Sequence, residues 1–229
     1  MRFDIVSLFP DFFSSPLASS LIGKALAREI ASVHITNPRD FTTDKHHKVD
    51  DIPYGGGVGM VMKPEPIFAA IESLPQHPRR EVMLMTPQGQ TMDQTLFKSL
   101  ATEYDQLVMI CGHYEGVDER VLNLVTREVS LGDFVLTGGE IPALTLLNGV
   151  IRLLPGTVGK SESLQHESFE TPLLDYPQYT RPAQFRAWGV PEVLMSGNHG
   201  AIAQWRKQQQ IERTQSRRPD LFAQWEDEQ

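Results

Sequence analysis

Residues 81–86, "EVMLMT", and residues 106–111, "QLVMIC", are short, nearly uninterrupted apolar runs. A strand with one face in water alternates apolar and polar residues. A strand buried on both faces does not, so runs of this length predict the interior strands of a parallel sheet. "FDIVSLF" at residues 3–9, "VHIT" at 33–36 and the short "REVS" at 127–130 read as further strands.

Helical patterns lie between them. "SPLASSLIGKALARE" places Leu17, Leu21, Ala25 and Leu26 on one side. "KPEPIFAAIESL" opens with prolines and an acid, as first helical turns do. "MDQTLFKSLATEY" begins with a capping candidate at Asp93, and "EIPALTLLNGVIRLL" carries an apolar stripe over residues 140–154. Alternating strands and helices predict an α/β domain with a mostly parallel sheet and helices on both faces.

In such sheets ligands bind outside the carboxyl ends of the strands. Three glycine-bearing segments follow three of the strands: "TPQG" at 86–89, "GHYEG" at 112–116 and "LGDFVLTGG" at 131–139. Each alone is an ordinary turn. Together they predict one crevice in which bare backbone approaches a flat, polar small molecule closely.

The chain has 229 residues, enough for one large domain or for a domain of about 150 residues and a smaller one. The spacing of elements predicts an α/β domain over residues 1–157, a linker poor in hydrophobics over 158–173, and a small helical domain over 174–229. The single cysteine, Cys111, excludes an internal disulfide and suits a reducing cytoplasm. The first residues do not read as a signal peptide, and no apolar run is long enough to span a membrane. A formal net charge of −8 argues against an overall basic nucleic-acid binder, but Arg206, Lys207, Arg213, Arg217 and Arg218 cluster in the tail.

Several motifs fail on spacing. "PGTVGKS" lacks the first glycine of a phosphate-binding P-loop, because Leu154 stands there, and a helix precedes it instead of a strand. "YGGGVGM" has Met60 where a dinucleotide fingerprint needs its third glycine, and reads as a flexible loop around a large ligand. "DKHHKVDD" sets two histidines side by side, which point apart and form no chelate alone. It reads as a solvated loop, with a transient Mg²⁺ or nucleic-acid contact as the functional alternative. No metal ligand set is assigned. Cys111 reads as a buried strand-end residue, not a nucleophile.

The motifs "SLFPDFF", "NPRDF", "VDDIPYGGGVGM", "TPQG", "CGHYEGVDERV", "LGDFVLTGGEIPA", "LLDYPQYTRP", "VLMSGNHGAIAQWR" and "RRPDL" follow one another along nearly the whole chain. In this order they closely resemble the bacterial tRNA (guanine-N1)-methyltransferase family, one of the knotted SPOUT methyltransferases. The resemblance implies methyl transfer from S-adenosylmethionine to N1 of the guanosine at position 37, just 3′ of the anticodon. It implies a trefoil knot at the C-terminal part of the α/β domain, which general topology rules would not predict. It also implies a homodimer whose active sites are shared between chains.

Carried over by motif, Thr86, Pro87, Gly112, Leu131, Gly132, Asp133, Phe134, Val135, Leu136, Gly138 and Gly139 would contact the cofactor. Glu115 would face its methionine end. Arg39, His46, Asp50, Arg206, Arg217 and Arg218 are the tRNA-binding candidates, with Lys45 beside them.

The chemistry asks for a base to take the N1 proton and a cation to meet charge developing on O6. Arg152 matches the family's catalytic arginine. Where the family usually has an aspartate before "SF", this chain reads "HESF", so Glu167 takes that place with one methylene more. Glu162, Glu170 and Asp175 are the neighbouring acids. Without the resemblance, Arg152 reads as a cation favoured at a helix C-terminus and Glu167 as a solvated acid. Two competing readings are a related knotted methyltransferase acting on another RNA, and a non-catalytic RNA-binding protein that kept the fold.

Overall fold

The computed structural model of the chain describes residues 1–159 and 167–228. The chain forms two compact units, residues 1–159 and the residues from 160 onward.

The first unit contains strands β1 (Arg2–Val6), β2 (Ser32–Thr36), β3 (Asp50–Asp51), β4 (Val61–Met62), β5 (Arg80–Thr91), β6 (Gln106–Cys111) and β7 (Arg127–Ser130). Its helices are α1 (Ser14–Leu17), α2 (Ser20–Ala27), α3 (Pro64–Glu72), α4 (Gln94–Glu103) and α5 (Glu140–Ile151). Five strands form the main sheet in the order β2-β1-β6-β5-β7, and every pairing in it is parallel. The central strand β6 is buried along its whole length, as its unbroken apolar run requires.

Successive side chains of a strand point to opposite faces, and the two faces fill differently. Phe3, Ile5, Met83, Leu107 and Met109 pack with Leu96 and Leu100 of α4 and with Leu146, Leu147 and Val150 of α5. Val82, Leu84, Val108 and Ile110 pack on the other side with Ile67, Ala70 and Ile71 of α3. Helices therefore cover both faces of the sheet.

Asp93 caps α4: its side chain accepts from the Leu96 amide at 2.7 Å. The long pattern at residues 15–29 breaks into α1 and α2, with Ser20 at φ 54°.

One expectation is corrected. "TPQG" is not a turn after a strand. β5 runs on to Thr91, and its register with β7 shifts between Met85 and Gln90, both of which pair with Val129. The extra residues form a bulge, and a Cβ at Gly89 would collide with the backbone of Glu128 and Val129. Gly89 is required by this close approach within the sheet.

The second unit holds the ribbon β8 (Gln184–Phe185) with β9 (Trp188–Gly189), and helices α6 (Glu192–Met195), α7 (His199–Arg217) and α8 (Pro219–Asp227). The Asn198 side chain caps α7 by accepting from the Ala201 amide at 3.1 Å. Thr214 is fully buried, donates to the Gln210 carbonyl and accepts from the Leu174 amide at 2.8 Å, which ties the incoming chain to α7. Residues 160–166 of the expected linker, Glu162 among them, lie outside the described residues. Among the described residues no helix is long and apolar enough to cross a membrane.

Candidate active site

The bulge of β5 and the carboxyl ends of β6 and β7 open into a crevice of about 460 Å³. The three glycine-bearing segments line it. From β5 come Thr86, Pro87 and Gln88, from the segment after β6 Gly112 to Val117, and from the segment after β7 Leu131, Phe134, Val135, Leu136, Gly138 and Gly139. Their convergence follows from strand order, since β6, β5 and β7 are neighbours running the same way.

The segment after β7 returns against the end of β6. Gly139 donates its amide to the Gly112 carbonyl at 3.0 Å, and Gly138 forms an isolated antiparallel bridge with His113. Gly139 then starts α5. A Cβ at Gly139 would sit 2.6 Å from the Cys111 Cα, and one at Gly138 would fall on the His113 ring. The glycine pair lets the chain pass where no side chain fits.

Not every expected cofactor residue reaches the crevice wall. Gly132 and Asp133 do not line it. Gly132 instead shapes the loop, donating its amide to Ser130 Oγ at 3.2 Å and accepting from the Phe134 amide at 2.9 Å. The sequence reading missed Gln88, His113, Tyr114, Val117, Glu128 and Pro142, all of which line it. Gln88, His113 and Tyr114 belong to the quoted loops and Glu128 to β7, and their placement was legible only once these segments were known to converge.

Tyr114 joins the crevice to the basic segment before β3. It adopts φ 60° and lies near the Asp50 carboxylate. Burial raises its pKa above the ordinary tyrosine value, the nearby Asp50 carboxylate adds to this, and nearby Arg39 opposes it. Two RNA candidates, Arg39 and Asp50, thus lie near the 112–116 segment. Arg39 also donates to the His47 carbonyl at 3.3 Å. His46 is exposed on the preceding turn, its amide bonded to Asp44 at 2.7 Å.

Cys111 is fully buried. Burial first, and then the charge of Glu140, pushes its thiol well above the usual range, so it is no nucleophile. Among the described residues no group of three or more His, Cys, Asp or Glu is placed to hold a metal.

Arg152 follows the last residue of α5 and is partly buried. Glu167 is partly buried in the second unit. In that unit Arg206 and Arg217 are exposed, and the Arg206 guanidinium stacks 4.7 Å above the Tyr176 ring. Arg218 forks onto Asp220, with Nε 2.8 Å from Oδ1, and this holds the Asp220 carboxyl down to about 2.

The sequence model of the family described as tRNA (Guanine-1)-methyltransferase TrmD matches residues 1–224. The chain is 75% identical over 226 residues to a tRNA (guanine-N(1)-)-methyltransferase of Acaryochloris marina (strain MBIC 11017), covering 98% of this chain and 96% of that protein. It is 74% identical over 229 residues to a protein of the same description from Synechocystis sp. (strain ATCC 27184 / PCC 6803 / Kazusa), covering 100% and 99%. A third such protein, from Trichormus variabilis (strain ATCC 29413 / PCC 7937), is 72% identical over 228 residues, covering 100% and 93%. The chain therefore belongs to the tRNA (guanine-1)-methyltransferase family, enzymes that transfer a methyl group to N1 of a guanine in tRNA.

Proposed function

We propose that the crevice at the bulge of β5 and the ends of β6 and β7 binds S-adenosylmethionine, and that the methyl acceptor is the guanosine at position 37 of tRNA. The observation that carries this reading is the convergence of three segments, two of them glycine-rich with open backbone groups, on one crevice of about 460 Å³. That lies within the usual range for a small-molecule site, roughly 300–1,000 Å³. The apolar wall of Leu131, Val135 and Leu136 suits a purine face, and Glu115 suits the cationic amine of the methionine end. In this reading the return of residues 131–139 past β6 is the crossing of a trefoil knot.

Bound S-adenosylmethionine supplies a methyl carbon activated by its sulfonium. The chain's residues manage the acceptor. Glu167 takes the N1 proton as the methyl arrives, and Arg152 faces O6 to meet the charge that builds there. Arg152 lies past the far end of α5, thirteen residues from Gly139 at the crevice. At about 1.5 Å per residue that is about 20 Å, well beyond the reach of an arginine side chain. One chain therefore cannot bring Arg152 to its own crevice along this helix. A homodimer in which each site draws on both chains solves the problem. Phe9, Phe12 and Ile141, each 45% exposed, are apolar surface suited to such an interface.

Residues Arg39 and Asp50 near the 112–116 segment, His46 on the turn before β3, and Arg206 and Arg217 in the second unit supply phosphate and base contacts in a protein of net charge −8. Residues 174–229 act as the tRNA-binding domain and 158–173 as the linker that carries Glu167. No protein site is assigned to Mg²⁺. We place the enzyme in the cytoplasm with its substrate.

The test is methyl transfer to tRNA transcripts that carry guanosine or adenosine at position 37. Transfer confined to the guanosine transcript supports the reading. Equal transfer to both overturns the assignment of position 37.

A further inference from the structure

Glu140 opens α5 with its carboxylate buried, only 5% exposed, and two donors from distant parts of the chain converge on it. Ser7, just beyond β1, donates its hydroxyl to Oε1 at 2.6 Å. His113 Nε2 lies 2.9 Å from Oε2. The circuit closes through Phe9. Its amide donates to Ser7 Oγ at 3.0 Å, and its ring lies against the His113 ring with centroids 4.7 Å apart.

Neither proton abstraction at N1 nor charge stabilisation at O6 uses this group. A carboxylate is costly to bury, and apolar residues of similar volume would often serve stability as well. The helix N-terminus offsets part of the cost. What a carboxylate adds is direction, because its two oxygens fix where two donors must point.

The donor that matters most is His113, which lines the crevice. It follows Gly112, and its carbonyl accepts from the Gly116 amide at 3.0 Å, closing the turn that carries Glu115. On its other side the ring abuts Gly138, where an added Cβ would fall on both His113 and Glu140. The ring, the 112–116 turn and the start of α5 thus form one packed piece with its orientation set at Glu140.

We propose that Glu140 and Ser7 are positioning residues that lock the His113 ring, and with it the 112–116 turn, in the orientation that accepts the cofactor. This rests on reading the crevice as the S-adenosylmethionine site. Loosening the lock weakens cofactor binding and leaves tRNA affinity and the saturated rate alone.

The test is calorimetric titration of S-adenosylmethionine into the parent and into His113→Gln, His113→Asn and Ser7→Ala, with thermal melts and steady-state kinetics on each. Glutamine places an amide donor near the position of Nε2, and asparagine places one near Nδ1. A lost bond to a charged group predicts that His113→Asn binds on the order of tenfold or more weakly, with KM for the cofactor raised by a similar factor. His113→Gln should recover most of that loss. Ser7→Ala removes one donor without touching the ring, and should raise the cofactor KM by a smaller factor at unchanged kcat. If asparagine and glutamine bind alike, the donor direction does not matter and the proposal fails. Should His113→Asn not fold, Ser7→Ala decides: a cofactor KM equal to the parent's overturns the lock. If the parent itself does not bind S-adenosylmethionine, the reading of the crevice fails before the lock is tested.

Discussion

The Gly139 amide donates to the Gly112 carbonyl at 3.0 Å, yet the two glycines are bare for different reasons. A Cβ at Gly139 would lie 2.6 Å from the Cys111 Cα, so the backbone itself excludes a side chain there. A Cβ at Gly112 would meet only Val117 Cγ1 at 3.6 Å, an ordinary contact. Gly139 is demanded by the fold, whereas Gly112 has room to spare beside the crevice.

Gly112→Ala should therefore fold with a melting temperature near the parent's and bind S-adenosylmethionine on the order of tenfold more weakly, because the methyl enters the ligand's path. Gly139→Ala should lose about 1–3 kcal/mol of stability from overpacking. Calorimetry and thermal melts on the two variants separate the effects. Unchanged cofactor affinity in Gly112→Ala would show that the ligand does not run along that backbone.

The basic residues of the tail are not equivalent. Arg218 is held by Asp220, whose carboxyl is depressed to about 2. A depressed carboxylate pKa means the pairing is present above the ordinary carboxylate range and is lost only as pH falls through about 2, so it persists under any methyl-transfer assay. Arg206 and Arg217 are exposed, with no carboxylate partner among the described residues. Replacing both by alanine should flatten the plot of log affinity for tRNA against log salt by up to about 0.9 per lost phosphate contact. Arg218→Ala should change the slope less. A slope unaltered in the double variant would place the RNA surface elsewhere.

The parallel sheet was legible because burial on both faces removes alternation, which is visible in "EVMLMT" and "QLVMIC" without any partner. Most helices and the cap at Asp93 were legible for the same local reason, while the cap at Asn198 was not read from the sequence. The bulge after Met85 was not, since "TPQG" contains proline and glycine and looks like a turn. Only pairing with Val129 on β7 shows that the strand continues. Of the candidate site, the three loops stood out by their glycines. Ser7, His113 and Glu140 did not, because they are 106 and 27 residues apart in sequence and meet only through the fold. The approach of Asp50 to Tyr114 was hidden likewise, although Asp50 itself was among the RNA candidates. Roles for Arg152 and Glu167 came from motif resemblance alone, as an arginine after a helix and an acid in a polar segment have ordinary explanations.

Stability at the other end of the sheet depends on another buried acid. Glu81 has its side chain only 6% exposed and accepts from Arg127 Nε at 2.8 Å. That bond raises the Arg127 pKa, and Tyr104 lies near both groups. Arg127→Met should cost about 3 kcal/mol, since it strands a buried carboxylate. Adding Glu81→Leu should recover most of the loss. Denaturant unfolding of both variants checks this, and a double variant no more stable than the single one would contradict it.

Methyl transfer through Glu167 is tested most directly by single-turnover kinetics at saturating S-adenosylmethionine and tRNA. Glu167→Gln keeps the size and removes the base, so the rate should fall by roughly 10²–10⁴ with both affinities nearly unchanged. Glu167→Asp restores the usual family residue but draws the carboxylate back by one methylene, and should also slow transfer, though less than the amide. A Glu167→Gln enzyme within a few-fold of the parent would contradict the account and move the base to another acid of the segment, such as Glu170 or Asp175.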